Sequence, residues 1–493
     1  MTVVLALDAG TTGVRALAID SSSTIVALAY REFTQHFPQP GWVEHDLDEI
    51  WSAMQTCIAE VADQLDEPIA AIGITNQRET AAAWDRRTGA PRHTAVVWQD
   101  RRTAARCDEL TEAGHLPMVK AKTGLVLDPY FTGTKFEWLL TEGGVEADEH
   151  LALGTIDTWL IWKLSGGEAH VTEPSNASRT LLFDIGALAW DEELCGLLGV
   201  PMAALPEVRP SSGRFAVTAE GTTALGAGVP ISGVAGDQQA ALFGQACFEP
   251  GMIKNTYGTG SFILMNVGTE LPEPVEGLLT TVGWTLGEGE PATYAYEGAI
   301  FVTGSAIQWL RDGLGIIDSA AEIGPLAASV DDTGDVFVVP AFAGLGSPHW
   351  DPYARGTIVG ITRGTGRAEL ARAVVESIAL QTRDVVDVMS SSAGLDLGEF
   401  RVDGGASVME LLLQIQADQL DVAVARPANT ETTAVGAAYL AGLAEGFWSS
   451  IDDVSAAWKA EHVSRPADDR TAADALHGRW LEAVERSKGW ARD

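Results

Sequence analysis

VVLALDAGTTGVRALAID, residues 3–20, is two apolar runs joined by a turn of glycine and threonine. Val3–Leu7 and Arg15–Asp20 read as strands, and Ile25–Phe33 as a third strand after the turn SSST. Glycines at 10 and 13 let backbone N–H groups approach an anion closely, and the Thr11 and Thr12 hydroxyls add donors. Arg15 supplies a fixed positive charge, and Asp8 ends its strand where a carboxylate can hold a metal-bound water. An ordinary Gly/Thr hairpin turn accounts for the same residues. A second copy of the device stands at KNTYGTGSF (254–262), where Gly258, Thr259 and Gly260 make a tight turn. Read alone, that turn is equally a β-bulge or hairpin. The two together are more specific: two α/β lobes, each presenting such a turn across a cleft, would clamp phosphates. Neither GxxxxGK[ST] nor a strand–GxGxxG–helix unit occurs, so any nucleotide is held by a different frame.

Around these turns the pattern mixes strands and helices. Asp46 can cap a helix whose apolar residues, Leu47 to Leu65, keep helical spacing. Ile69–Thr75 reads as a buried strand and DRRTG (85–89) as a hairpin turn, with helices expected near 102–111, 134–142 and 151–164. The second half predicts a helix near 303–313, a strand at Val336–Val339 and a long helix near 367–391. The strand FRVDGG (400–405) is expected to run into a helix from Ala406, and a last strand–turn–helix covers 421–446. The turn FEPG places the division near Cys247–Gly251, giving domains of 1–247 and 248–493.

Composition sets the outer limits. A chain of 493 residues exceeds one compact core, and 46% hydrophobic residues exclude pervasive disorder. Lys+Arg total 32 against 68 Asp+Glu, a formal charge of −36 spread along the chain, so nucleic acid and anionic membrane surfaces are unfavourable partners. Broad acidity with scarce lysine suits a salt-rich, halophilic cytosol, where counterions screen self-repulsion, or else simply an acidic mesophilic protein. Cys57, Cys107, Cys195 and Cys247 lie far apart without CxxC spacing, and the nine histidines form no HExxH or HxxxH pair. No run approaches the roughly 18 apolar residues of a membrane span, and the N-terminus lacks a basic leader region. The expectation is a soluble, reduced, cytoplasmic, multidomain protein.

Four further stretches could carry chemistry. VDGGAS (402–407) is a strand–Gly-Gly–helix junction where a flat purine could lie against the backbone, or simply a turn needing positive φ. GDQQAALFG (236–244) puts Asp237 and Gln238 at the start of an apolar helix; the aspartate is either a cap or a general base for a hydroxyl. NQRET (76–80) sets Arg78 beside Glu79 at a strand end, which suits neighbouring hydroxyls of a polyol, or a surface pair. Trp98 and Tyr130 stand near turns; they could pack on a carbon backbone, or belong to a core.

Taken together, LDAGTTGVR (7–15), PGWVEHD (40–46), GITNQRET (73–80), VVWQDRRT (96–103), DPYFTGTKFEWLL (128–140), TIDTWLIWKL (155–164), NASRTLLFD (176–184), GDQQAALFGQ (236–245), KNTYGTGSF, PAFAGLGSPHWDPYARG (340–356) and DGGAS (403–407) resemble the FGGY carbohydrate kinases over essentially the whole chain. Tyr130–Glu142 and Gly356–Glu376 are similar to that family's signature patterns. The resemblance implies an α/β, two-lobed, actin/hexokinase-like (ribonuclease H-like) ATPase fold with a central cleft. It implies ATP and Mg2+ as cofactors, and a homodimer or homotetramer. Thr11, Thr12, Gly13 and Arg15 would hold phosphates from the first lobe. Thr259 and Gly304 would contact phosphate or ribose from the second, with Gln308 nearby and Gly405 beside adenine. NQRET with DPYF points to glycerol as acceptor, held by Arg78, Glu79, Tyr130, Asp237 and Gln238 between Trp98 and Phe262. Asp237 would be the base, and Asp8 and Asp237 would lie close to the metal. The alternatives are another polyol or ketose acceptor, a nucleotide sensor or a phosphohydrolase on the same fold.

The chain departs from the family pattern at Met409, where an asparagine is usual on the nucleotide side. The loop TTALGAG (222–228) has neither the arginine that binds a sugar bisphosphate nor the phosphorylatable histidine found in some members, so neither control is expected.

Overall fold

The computed structural model describes residues 2–491. Its frame is two mixed sheets. In the first, β1 (Val3–Ala9), β2 (Gly13–Ile19) and β3 (Ile25–Glu32) form an antiparallel meander. β4 (Ile69–Asn76) pairs in parallel with β1; β5 (Ser212–Val217) is the antiparallel edge beside β6 (Pro230–Gly236), which is parallel to β4. The order is β5-β6-β4-β1-β2-β3. The second sheet repeats the scheme. β7 (Ile253–Tyr257) and β8 (Ser261–Gly268) form the hairpin; β9 (Leu279–Trp284) and β10 (Thr293–Ile300) extend it antiparallel beyond β8. β11 (Phe400–Gly404) is parallel to β7, β12 (Val424–Pro427) is parallel to β11, and β13 (Ala460–Ser464) closes the edge. Its order is β9-β10-β8-β7-β11-β12-β13. The central parallel strands are apolar nearly throughout because both faces of each sheet are covered.

Six helices do most of that covering. α1 (Leu47–Ala62) starts where Asp46 accepts hydrogen bonds from the Asp48 and Glu49 amides, and it buries Leu47, Ile50, Trp51, Met54, Ile58 and Val61 on one face of the first sheet. α2 (Asp237–Gly244) follows β6 directly. α3 (Arg367–Ala393) and α4 (Glu410–Leu420) pack on the second sheet, and α6 (Thr471–Ser487) docks Trp480 onto Asp384 of α3 with an Nε1–Oδ2 distance of 2.7 Å.

α5 (Thr432–Ala444) comes late in the chain yet lies on the first sheet, over residues of β1, β4 and β6. Glycines make the approach possible. A Cβ at Gly73 of β4 would sit 2.1 Å from the Ala437 carbonyl, and one at Gly233 of β6 would sit 2.2 Å from the Ala441 amide. A Cβ at Gly436 would sit 1.8 Å from the Ala240 carbonyl of α2.

Several local expectations need correction. Residues 151–164 are a strand, Leu151–Gly154, followed by a helix, Ile156–Leu164. The strand pairs with Ala82–Asp85, a partner nearly 70 residues upstream that a local apolar run does not reveal. Instead of a helix from Ala406, a 3₁₀ turn spans Gly405–Val408, extended Met409 interrupts, and α4 starts at Glu410. The segment near 303–313 begins as α-helix at Gly304–Gln308 and widens into a π-type turn at Trp309–Gly313. A helix at Leu116–Thr123 was not anticipated. Among the described residues, no helix is long and apolar enough to cross a membrane.

Candidate active site

Both Gly/Thr segments are hairpin turns at matching places in their sheets. The first joins β1 to β2, with Asp8 and Arg15 as cross-strand neighbours. Thr12 is exposed, and Thr11 accepts a hydrogen bond from Trp98 Nε1 at 2.9 Å. Gly13 has no room for a side chain, because a Cβ would lie 2.7 Å from the Arg31 carbonyl and from the Tyr30 ring. Arg15 pairs with Glu431 at the start of α5. Burial pushes the Asp8 carboxyl up to about 7; Arg15 opposes this, and Asp237 and Glu431 add to it.

The second turn joins β7 to β8. Gly258 N donates to Gly260 O at 2.8 Å, and Thr259 is exposed. The Thr259 carbonyl accepts from the Thr303 and Ser305 amides at 2.9 and 3.1 Å, and the Gly258 carbonyl accepts from Gly304 N at 3.0 Å. Gly304 is needed there, since a Cβ would stand 2.6 Å from the Gly258 oxygen. Gln308 lies one turn further along and is exposed. Gly404 adopts φ +83° against Tyr257, so positive φ explains that glycine; Gly405 next to it is exposed, with open space where a Cβ would be. Met409 packs beside Gly324 and against the second core.

Between the turns lies a buried ionic cluster. Arg78 and Glu79, at the end of β4, are 2% and 1% exposed, which excludes a surface pair. Arg78 Nε is 3.2 Å from Asp237 Oδ1, and its Nη2 donates to the Tyr130 hydroxyl at 3.3 Å. Both Nη groups bind Glu297 of β10, with Nη2–Oε1 at 3.1 Å, and Nη1 also donates to Gln239 at 3.2 Å. Arg179 completes the cluster by donating to Glu79 Oε1 at 2.6 Å and Glu297 Oε1 at 2.9 Å. Burial disfavours the Glu297 charge, but Arg179 and Arg78 outweigh it and hold the carboxyl down at about 2. Burial raises Glu79, with Arg78 and Arg179 opposing.

Glu79 itself has φ +61°, a costly backbone conformation for a residue with a side chain. Its carbonyl is held twice, by Lys135 Nζ and by Thr132 Oγ1, each at 3.1 Å. Burial pushes the Lys135 ammonium down to about 7, with Glu79 the chief opposing charge.

Asp237 is the first residue of α2; Gly236 occupies the cap, so the carboxylate is not a cap in the usual geometry. Its Oδ1 accepts from the Gln238 amide at 2.7 Å, while Oδ2 has no hydrogen-bond partner among the described residues. The side chain is 31% exposed, against 2% or less for the rest of the ionic cluster, so it is the carboxylate that reaches the cleft. Gln238 binds the buried Lys254 ammonium, which also donates to Phe262 O and Thr256 Oγ1, both at 3.2 Å. Burial pushes Lys254 down to about 8, against the pull of Asp403 and Asp237. Trp98 and Tyr130 meet edge to face with centroids 5.6 Å apart, both half-buried.

Arg78, Glu79, Trp98, Tyr130, Asp237 and Gln238 thus form one connected group, linked to the first turn through Trp98 and Thr11, and Phe262 joins it by its backbone carbonyl, through Lys254. Sequence reading assigned no role to Glu297, Arg179, Lys135 or Lys254. Glu297 had one signal, a lone charge in the apolar strand TYAYEGAI (293–300). Arg179 and Lys254 lay inside quoted motifs without a partner to suggest a task.

Comparison with known proteins gives the arrangement a lineage. Residues 3–244 and 253–445 match the N-terminal and C-terminal domains of the FGGY family of carbohydrate kinases. The chain is 55% identical to a glycerol kinase of Bordetella parapertussis, covering 99% of this chain and 98% of that one. It is 56% identical to a glycerol kinase of Trichlorobacter lovleyi, with both chains covered completely. Among solved structures, Plasmodium falciparum glycerol kinase with ADP superposes with a TM-score of 0.94 at 34% identity, covering 99% of this chain and 98% of that one. A ligand-bound xylulose kinase from Lactobacillus acidophilus, with a TM-score of 0.88 and 20% identity, shares the two-lobed actin/hexokinase-like fold. On domain matches, identity and architecture alike, the chain belongs to the FGGY family of carbohydrate kinases.

Proposed function

We propose that this protein transfers the γ-phosphoryl group of ATP to a terminal hydroxyl of glycerol, giving sn-glycerol 3-phosphate, the entry step of glycerol use. The observation that carries the reading is the Arg78–Glu79–Tyr130–Asp237 group, buried at Arg78 and Glu79 and open to the cleft at Asp237, beside two Gly/Thr hairpin turns. Full-length likeness to glycerol kinases supports it.

Glycerol is small, uncharged and rich in hydroxyls, so its recognition depends on pairing polar groups that would otherwise be buried unpaired. Arg78 and Glu79, locked by Glu297 and Arg179, offer a fixed donor and acceptor for neighbouring hydroxyls. Tyr130 donates or accepts beside them, and Trp98 and Phe262 wall the carbon chain. The free Oδ2 of Asp237 accepts the proton of the attacking hydroxyl. Phosphoryl transfer needs in-line placement and charge neutralisation more than covalent help. Arg15 and the amides of the first turn supply neutralisation from one lobe; from the other the Thr259 hydroxyl donates, with Gly304 giving close backbone approach to phosphate or ribose. The open surface at Gly405 suits a flat base.

The residues fit Mg2+. Burial raises the proton affinity of Asp8, and the nearby Asp237 and Glu431 charges add to it, local negative charge that a divalent cation would relieve. No group of three or more ligating side chains exists among the described residues, as suits an ion held by one or two carboxylates, water and phosphate. When bound, the ion neutralises charge on the phosphates. The further reading is of a cytoplasmic homodimer or homotetramer without nucleic-acid or membrane partners, its acidity matched to high salt; light scattering of the purified chain checks its assembly.

An ADP-release assay with glycerol, dihydroxyacetone, xylulose or no acceptor tests the activity. Glycerol-dependent release well above the other arms is expected. Release favouring xylulose, or release without acceptor, would replace the reading with a ketose kinase or a phosphohydrolase.

A further inference from the structure

Three side chains behind the first turn are used by nothing described so far. His45 is fully buried in the two-residue strand Glu44–His45 and stacks edge to face on Phe33 at 4.9 Å. Its Nε2 lies 2.7 Å from Gln35 Oε1, and its Nδ1 lies 3.3 Å from Gln77 Nε2. Each glutamine then reaches the turn: Gln35 Nε2 donates to the Thr11 carbonyl at 2.9 Å, and Gln77 Nε2 donates to the Gly10 carbonyl at 3.1 Å. Thr80 Oγ1 donates to Gln77 Oε1 at 2.8 Å, so both ends of that amide are engaged.

The backbone carbonyls settle the orientation of both amides, because a carbonyl accepts and only an NH2 group donates. Gln35 therefore turns its oxygen to His45, and Gln77 turns its nitrogen. The imidazole must donate from Nε2 and accept at Nδ1, which requires the neutral ring. Burial, with His36 adding, pushes the His45 imidazole down to about 4, so the ring stays neutral at physiological pH.

In a trans peptide the N–H points opposite to the C=O. Tying back the Gly10 and Thr11 carbonyls thus aims the Thr11 and Thr12 N–H groups the other way, out of the turn. Neither amide donates to any group among the described residues.

We propose that His45, acting through Gln35 and Gln77, is a positioning residue that fixes the direction in which the Gly10–Gly13 turn presents its amides to nucleotide phosphates. The inference rests on the phosphoryl-transfer reading above. It assigns the relay to phosphate recognition and not to the acceptor or the base.

The test compares native protein with His45→Phe, which keeps the ring and its stack but loses both nitrogens. ADP with Mg2+ and adenosine are titrated by calorimetry, KM is measured for ATP and for glycerol, and thermal melting reports the fold. Loss of two hydrogen bonds is expected to weaken ADP about tenfold and to raise the ATP KM similarly. Adenosine affinity, glycerol KM and Tm are expected to stay near native. His45→Gln, which reaches the Nε2 position, and His45→Asn, which reaches Nδ1, each recover part of the loss. Should His45→Phe fail to fold, Gln35→Leu at its half-buried site carries the same measurement. Native ADP affinity in a folded variant, or equal losses for ADP and glycerol, would overturn the relay while leaving the kinase reading intact. Native protein that binds no ADP would overturn both.

Discussion

The turn Gly10–Gly13 and the turn Gly258–Gly260 sit at the same place in their sheets, each between the first two strands of a lobe and each beside a parallel neighbour. They are secured differently. The first is held by side chains from three separate segments, Gln35, His45 and Gln77, with Trp98 on a threonine hydroxyl. The second is held mainly by backbone, through amides of residues 303–305, with one side-chain hydroxyl, Ser305 Oγ, donating to the Thr259 carbonyl at 3.0 Å. Their electrostatics differ as well: Asp8 and Arg15 flank the first, while uncharged Thr256 and Phe262 occupy the corresponding rungs beside the second. The lobe with side-chain support also carries Arg78, Glu79 and Asp237. The first turn depends on groups that side-chain substitution can remove, and the second depends mostly on backbone amides that such substitution leaves in place.

The sharpest way to break this contrast is Asp237→Asn. Removing the proposed base from the first lobe is expected to lower turnover about a thousandfold or more, with ADP affinity within about threefold of native. Turnover within tenfold of native would put the base elsewhere.

Asp8 gives the next largest effect, and it belongs to the first turn alone. Its folded pKa of about 7 lies above the ordinary 3.8, so the ligand-free fold binds a proton that the unfolded chain releases. Asp8 therefore favours the ligand-free fold at low pH, and that contribution is lost as pH rises from about 4 to about 7. Binding of Mg2+ with ADP favours the ionised carboxylate, so affinity is expected to fall about tenfold per pH unit below 7, and Asp8→Asn should flatten that slope in calorimetric titrations. An unchanged slope in the variant would detach the metal from the first turn.

Backbone support in the second turn makes it intolerant of bulk. A Cβ at Gly260 would lie 2.2 Å from the Ile300 carbonyl, whereas one at Gly10 would lie 3.3 Å from the Gly13 carbonyl. Gly260→Ala is expected to cost about 1–3 kcal/mol and lower Tm, with Gly10→Ala clearly milder. Equal melting of the two would remove the distinction. The smallest effect is global: molar KCl is expected to raise Tm by a few degrees by screening the charge of −36, and a flat response would count against a halophilic origin.

Much of this was legible in the sequence for a physical reason: hairpins are local. The two turns are Gly/Thr clusters between apolar runs, and β1, β2, β3 and α1 follow from short-range periodicity and one aspartate cap. Residues 151–164 misled because an apolar run fits strand or helix until its pairing partner is known. The ionic cluster was only half visible. Arg78 and Glu79 adjoin in sequence, but Glu297 is 219 residues from Arg78 and 118 from Arg179, so the groups that lock the pair emerge only on folding. The histidine–glutamine relay escaped for the same reason; its glutamines act on carbonyls, which no side-chain motif records.

The late position of α5 has a consequence for synthesis. The face of the first sheet carrying Val4, Ala6, Ala71 and Ala235 receives its cover from Ala434, Val435 and Ala438. Those residues are translated long after Gly244 ends α2. At about 5–20 residues per second, the nascent first lobe waits roughly 10–40 s with α2 as partial cover for that greasy face and α5 still missing. A message cut short before codon 432 would never relieve it, so such a fragment should be a client for chaperones and not a free-standing half-enzyme.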